Sequence, residues 1–82
     1  MQIVWDELKR QANLDKHGLD FAELTPEFFV DATTLPGKLG RKIAVGWHDG
    51  VGIVVVHVRY GTEAISVISM RPASARERRL LL

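Results

Sequence analysis

Hydrophobic and polar residues alternate most clearly in the second half of the chain. After Arg41 the apolar side chains fall on every second position, at Ile43, Val45 and Trp47. This period of two is typical of a β-strand with one buried face, so we expect Trp47 to be buried with the other two. Asp49-Gly50 follows and strongly favours a two-residue hairpin turn.

Two further strands are predicted after this turn. Residues 51–60 are apolar on both faces of a strand, and Gly61-Thr62 favours a second short turn before a third strand over residues 63–71. Three strands joined by short turns predict an antiparallel meander. The two faces of the middle strand would carry Val54, Val56, Val58 and Tyr60 on one side, and Ile53, Val55, His57 and Arg59 on the other.

The first half of the chain carries helical signals. Asp6 is a favourable N-cap, residues 7–17 contain neither proline nor glycine, and Gly18 can adopt the left-handed conformation that ends a helix. Residues 21–24 predict a second short helical segment. Residues 27–35 fit either a helix or a strand, because their aromatic residues precede a pair of threonines.

The chain ends with an arginine-rich corner between a strand and a helix. Pro72 disfavours further strand pairing, and Ser74 with Glu77 has the spacing of a capping box. Guanidinium groups match phosphate oxygens, so this corner could grip a polynucleotide backbone. The alternative is a solvated helix that only aids solubility. The arginines concerned are Arg71, Arg76, Arg78 and Arg79.

These signals together predict one α+β domain over residues 1–82. Its order would be N-terminal helices, an antiparallel β-meander sheet and a short C-terminal helix. The net charge is +1, but residues 1–40 carry four Lys/Arg against seven Asp/Glu, whereas residues 41–82 carry seven against three. A basic C-terminal half on a nearly neutral chain favours a local anion site over a general coating of nucleic acid.

Several classes of protein are disfavoured by what the sequence lacks. There is no cysteine, and the three histidines do not have close ligand spacing, so we expect neither a metal nor another cofactor. No signal peptide is visible, and no apolar run is long enough to cross a bilayer. We therefore expect a soluble cytoplasmic protein.

Two segments, Trp5–Phe21 and Ile65–Arg78, resemble the start and the end of BrnT-type toxins of bacterial type II toxin–antitoxin modules. The first contains the family signature Lys16-His17-Gly18, and the spacing between Arg41 and Gly46 also fits the family. The resemblance implies a RelE-like ribonuclease fold, RNA cleavage that inhibits translation, and neutralisation by a ribbon-helix-helix antitoxin called BrnA. Operator DNA would be bound only through that antitoxin, and no membrane is implied.

RNA cleavage through the 2′-hydroxyl requires cations that stabilise the pentacoordinate phosphate. Arg71 matches the arginine of the family's Ser-x-Arg motif, and Arg41 matches its strand arginine. Arg59 shares a strand face with His57. We expect the three arginines to lie on one face of the sheet, with Arg71 nearest the terminal helix. A surface ion pair or a solvated charge is the alternative for each of them.

The same reaction requires proton transfer. His17 would lie at the C-terminal end of a helix, where the macrodipole favours an imidazolium that can act as an acid. Its alternative role is to cap the last carbonyl groups. Glu77 could orient Arg71 or act as a base, although a capping box alone would also explain it. The expected substrate-binding residues are Lys16, Arg76 and Arg78.

Two functions from different classes therefore remain open. The first is a metal-independent endoribonuclease toxin. The second is an antitoxin-binding subunit with weak or lost catalysis that acts in an autorepressing complex on operator DNA. Gly40, where the family often has an acidic residue, and the short terminal helix favour the second modestly. The apolar end Leu80–Leu82 is expected to dock on the sheet or to meet the antitoxin.

Overall fold

The computed structural model describes residues 1–82 and contains one five-stranded sheet with the strand order β1-β5-β4-β3-β2. β1 runs parallel to β5, and all other neighbours are antiparallel. The predicted meander, β3 to β5, is therefore the centre of a larger mixed sheet. The strands are β1 (Gln2–Trp5), β2 (Thr33–Pro36), β3 (Lys42–His48), β4 (Val51–Tyr60) and β5 (Ala64–Pro72).

The helices confirm the α+β class. α1 starts after Asp6, whose carboxylate accepts the backbone N–H groups of Leu8 and Lys9, and it ends at Gly18 with φ 70°. None of the helices is long and apolar enough to span a membrane. The helices are α1 (Glu7–His17), α2 (Pro26–Asp31) and α3 (Ala75–Arg78), with 3-10 turns at Phe21–Glu23, Lys38–Gly40 and Arg79–Leu81.

The expected order of elements was wrong at the start of the chain, which begins with a strand. β1 has only four residues and its partner β5 lies about sixty residues later, so no local pattern announces the pairing. Residues 27–35, which fit either a helix or a strand, contain the end of a helix followed by the start of a strand. Pro26 starts α2, Ala32 ends it, and the threonines begin β2.

The main core lies on the face of the sheet that carries Ile53, Val55 and His57, here called the helix-covered face. These side chains pack against aromatic residues of the N-terminal half, chiefly Phe21 and Phe29. The second face, here called the opposite face, carries a smaller cluster. Its members are Val45, Val54 and Ala73, with Ile43 and Leu81 at the margin.

The expectation that Trp47 is buried was wrong. Half of its surface is exposed, although it lies on the same face of β3 as Ile43 and Val45. It lies on the opposite face beside the β3–β4 turn, where only the short C-terminal helical segment covers the sheet. Of the two alternatives for the apolar end, Leu81 docks on the sheet there, while Leu80 and Leu82 remain exposed. The Asp49-Gly50 hairpin is confirmed, with positive φ at both residues.

A β-bulge in β5 determines which way the end of that strand points. His57 lies opposite Val67 but Val56 lies opposite Ser69, so Ile68 is an extra residue. Without the bulge, alternation from Val67 would place Arg71 on the helix-covered face. With it, Arg71 lies opposite Val54 on the opposite face.

Candidate active site

A groove of about 400 Å³ lies between α1 and the second half of β5. Lys9, Asn13, Lys16 and His17 line one wall, because positions i, i+4, i+7 and i+8 share one side of a helix. The other wall is β5 beyond the bulge, from Ile68 to Arg71. The bulge therefore shapes the strand at the point where it borders the groove.

Arg71 is held at the end of this groove by Glu77. Its Nη1 donates to Oε1 at 2.7 Å and its Nη2 donates to Oε2 at 2.8 Å, so the pair is bidentate. Nη1 also donates to the Pro72 carbonyl at 3.3 Å. A guanidinium has five N–H donors, so the Nε–H and the second Nη2–H remain available as a side-on fork.

Glu77 has two structural partners. It completes the predicted capping box, since its Oε1 accepts the Ser74 N–H at 2.8 Å while the Ser74 hydroxyl accepts the Glu77 N–H. The Arg71 guanidinium, followed by the Ser74 N–H, lowers the pKa of Glu77 to about 2. So weak a base is poorly suited to take a proton at neutral pH, and the geometry favours the orienting role.

None of the other three arginines of the terminal segment lines the groove. The stem of Arg78 packs over Gly52, where a Cβ would lie 2.9 Å from its Cγ, and its Nη1 donates to the Ala73 carbonyl at 2.8 Å. Arg78 thus has a structural role that the sequence did not indicate. Arg76 is exposed, without a hydrogen-bond or ion-pair partner among the described residues.

The expectation that Arg41, Arg59 and Arg71 share a face was wrong for Arg59. The antiparallel register puts Arg59 on the helix-covered face, where its Nη2 lies 3.8 Å from the Met1 Sδ. Arg41 immediately precedes β3 in an extended conformation, so alternation places it on the opposite face with Arg71. Their Cα atoms are roughly 16 Å apart by strand geometry, which is too far for one phosphate.

The histidines differ in their environments. His17 is half-buried in the groove, whereas His57 is 1% exposed beneath Phe29. Burial lowers the pKa of His57 below its ordinary value. His48 lies 3.5 Å from a Glu23 carboxylate oxygen and 3.7 Å from one of Asp49.

Glu23, His48 and Asp49 are the residues that could hold a metal ion, because their donor atoms lie within 4.8 Å of one another. The two carboxylates are largely exposed, and ion pairing with a protonated His48 would also explain the cluster. None of the three lines the groove between α1 and β5. We therefore assign no catalytic ion to it.

The groove thus brings together three of the expected site residues, Lys16, His17 and Arg71, and leaves Arg41 and Arg59 outside. Two lining residues were missed as site candidates. Lys9 and Asn13 both occur in the segment Trp5–Phe21. Lys9 lies seven residues before Lys16, and Asn13 lies four residues before His17, so helical spacing could have placed them on the same side of α1. An arrangement of cations around one imidazole can bind a phosphodiester and transfer a proton at it.

Comparison with known proteins gives a consistent picture. Residues 5–77 match the family described as "Ribonuclease toxin, BrnT, of type II toxin-antitoxin system". The chain is also similar to the ribonuclease toxin BrnT of Brucella abortus, known from a 1.1 Å crystal structure. The identity is 53% and the TM-score 0.84, over 90% of this chain and 97% of that one. None of the curated proteins matches.

Proposed function

Because this chain belongs to the BrnT family of ribonuclease toxins of type II toxin–antitoxin systems, we propose that it is an endoribonuclease that cleaves RNA in the groove between α1 and β5. The observation that carries this proposal is that Lys9, Lys16, His17 and Arg71 line one groove. The attacking group would be the 2′-hydroxyl of the substrate, and no metal ion would take part in catalysis.

The cations of the groove would bind the scissile phosphate and stabilise the charge that develops on it. Glu77 fixes one edge of Arg71, so the side-on fork of Nε and Nη2 is oriented before RNA arrives. Preoriented donors stabilise a transition state without reorganisation. Lys9 and Lys16 lie on the facing wall and carry the mobile ammonium groups that suit the flanking phosphates.

His17 would transfer the proton. Histidine is the side chain that exchanges protons most readily near neutral pH, and His17 is the one imidazole that lines the groove. In this proposal the 2′-hydroxyl releases its proton to solvent water as its oxygen bonds to phosphorus. The bond from phosphorus to the 5′-oxygen breaks, and the imidazolium protonates that departing oxygen. The products would then be a 2′,3′-cyclic phosphate and a free 5′-hydroxyl.

RNA cleavage of this kind would inhibit translation in the cytoplasm, and a cognate BrnA-like ribbon-helix-helix antitoxin would neutralise it. Two surfaces support a partner. Leu80 and Leu82 are exposed beside the arginine corner, and Tyr60 and Leu35 are exposed on the opposite face. Operator DNA would be bound through the antitoxin, because the net charge of +1 is low for a protein held to DNA by its own charge.

The test is cleavage of an RNA oligonucleotide with and without EDTA, beside a matched substrate in which every sugar is 2′-deoxy. Cleavage of the RNA in EDTA, with no cleavage of the deoxy substrate, supports the proposal. If EDTA abolishes cleavage, the assay is repeated with the variant His48→Gln. A variant that is active but insensitive to EDTA would trace the effect to the Glu23 cluster, whereas a sensitive one would contradict metal-independent catalysis.

The second candidate function is an antitoxin-binding subunit with weak catalysis. The observation in its favour is that the Glu77 carboxylate already neutralises Arg71, and Arg41 and Arg59 lie elsewhere. A parent protein that forms a stable complex with the antitoxin and leaves RNA uncut would favour this function over the first.

A further inference from the structure

The outer edge of β5 changes its partner along its length. β1 pairs with β5 only from Ala64 to Val67, so the strand has no neighbouring strand on that side beyond the bulge. Met70 is fully buried, and its N–H would be an unpaired donor on this edge. Asn13 accepts that N–H with Oδ1 at 3.1 Å.

The other end of the same amide is also engaged. Asn13 Nδ2 donates to the Leu19 carbonyl at 3.2 Å, in the segment that follows His17 and Gly18. The contact with Met70 is the one hydrogen bond that joins α1 to β5. A single side chain thus fixes three segments that border the groove: α1, the segment after it, and β5.

We propose that Asn13 is a positioning residue for RNA cleavage, which holds the wall of Lys9, Lys16 and His17 in alignment with Arg71. This inference rests on the proposed ribonuclease function. Oδ1 and one N–H of Nδ2 already have partners in the protein, and these two bonds fix the orientation of the amide. We therefore assign Asn13 to the alignment of its neighbours and not to contact with RNA. A displacement of one wall by about 1 Å can cost about a hundredfold in rate.

The test is steady-state cleavage by Asn13→Leu, which keeps the size of the side chain but removes both hydrogen bonds. We expect kcat to fall about a hundredfold, with KM changed less than about threefold. Asp6→Ala is the matched control, because it weakens the same helix at its N-cap and Asp6 does not itself line the groove. Its kcat should stay within about twofold of the parent at a temperature where both variants are folded.

A second background separates positioning from general destabilisation. If Asn13 acts by aligning His17 with Arg71, then Asn13→Leu should cost less than about threefold further in a protein that already carries Arg71→Ala. An equal loss in both backgrounds, or an equal loss in Asp6→Ala, would overturn the inference.

A conservative variant covers the case in which Asn13→Leu does not fold. Asn13→Asp keeps an acceptor for the Met70 N–H, so kcat should stay within about tenfold of the parent, although its charge should raise KM by repelling phosphate. A kcat as low as that expected for Asn13→Leu would overturn the inference.

The parent protein distinguishes this inference from the proposed function. A parent that cleaves RNA beside an Asn13→Leu variant of equal kcat contradicts the positioning role alone. A parent that cleaves no RNA contradicts the proposed function. In that case the affinity for a 2′-O-methylated RNA tests whether Asn13 aligns the two walls of the groove. A tenfold weaker Kd in Asn13→Leu than in Asp6→Ala would support it, and equal values would overturn it.

Discussion

The five N–H donors of Arg71 fall into two sets. Three face Glu77 and the Pro72 carbonyl, and the remaining two form a fork that is free for a ligand. The ion pair expected as the structural alternative for Arg71 is therefore present. It does not compete with phosphate binding, because the two partners would use different edges of one planar group.

Arg71→Lys keeps the charge but cannot reproduce two forks at once. We expect cleavage to fall roughly a hundredfold, as when one preoriented donor is removed from an oxyanion site. The melting temperature should change little, because the side chain is 42% exposed. Initial cleavage rates and growth arrest on expression would measure the effect.

Arg79→Lys is the matched control for this change, since Arg79 is exposed in the same terminal segment. It should retain parental rates. Toxicity of Arg71→Lys equal to that of the parent would show that Arg71 is not a phosphate clamp.

Glu77→Gln tests the carboxylate that orients Arg71. The folded-state pKa of Glu77 is lowered to about 2, so its ionised form stabilises the fold above the ordinary value of 4.5, and this contribution is lost as pH falls from 4.5 towards 2. We expect Glu77→Gln to lower the free energy of unfolding at pH 7 by about 1 kcal/mol or less, given the solvent exposure of Arg71. Chemical denaturation at pH 7 and pH 2.5 measures it, and the difference should shrink at the lower pH.

At the scale of elements, local signals specified α1 and the three central strands well. The N-cap, the glycine stop and Asp49-Gly50 each act within a few residues, and the structure confirms each of them. The alternation of Ile43, Val45 and Trp47 correctly predicted a strand, but not the exposure of Trp47. β1 and the bulge at Ile68 depend on partners far along the chain, so neither could be inferred locally. The bulge matters most for the site, because it puts Arg71 on the face opposite to that of Arg59, in addition to their separation along β5.

The packing of α2 on β3 leads to a prediction about two glycines. A Cβ on Gly46 would lie 2.8 Å from the buried Phe28 ring, whereas one on Gly52 would lie 2.9 Å from the flexible stem of Arg78. We expect Gly46→Ala to lower the free energy of unfolding by about 1–3 kcal/mol, and Gly52→Ala by clearly less. Denaturant unfolding of the two variants measures the difference, and equal losses would contradict this account of the packing.

At the scale of the whole molecule, His57 couples the core to pH. Burial, together with the positive charges of Arg59 and Lys42, lowers its pKa, while the contact with the Val55 carbonyl acts in the other direction. A depressed folded-state pKa means that the unfolded chain takes up the proton first. Stability should therefore decline as pH falls below about 6.5, by up to about 1.4 kcal/mol per unit.

His57→Leu is the variant that isolates this effect, because it fills a similar volume and cannot titrate. We expect its unfolding free energy to vary less between pH 6.5 and 4.5 than that of the parent. Unfolding curves over this range measure the difference. Parallel pH profiles for the two proteins would show that His57 does not limit acid stability.

Only part of the site could be inferred from the sequence, because the two walls of the groove come from elements that are far apart along the chain. Lys16, His17 and Arg71 came from motifs, whereas the proximity of α1 and β5 results from the β1 pairing that no local signal reveals. Arg41 and Arg59 carry similar charges, but the register of the strands directs them elsewhere. Charge alone could therefore not distinguish a groove residue from a peripheral one.

The last prediction concerns the charge distribution of the whole surface. If RNA binds mainly through Lys9, Lys16 and Arg71, the logarithm of its affinity should fall with the logarithm of salt concentration with a slope of about −2. Lys9→Gln should reduce the magnitude of that slope by about 0.7, whereas Lys38→Gln, far from the groove in the loop before β3, should leave it unchanged. Fluorescence anisotropy with a 2′-O-methylated RNA measures the slopes. A larger parental slope that falls equally in both variants would indicate binding spread over the surface, because then no single cation would lie closer to the backbone than another.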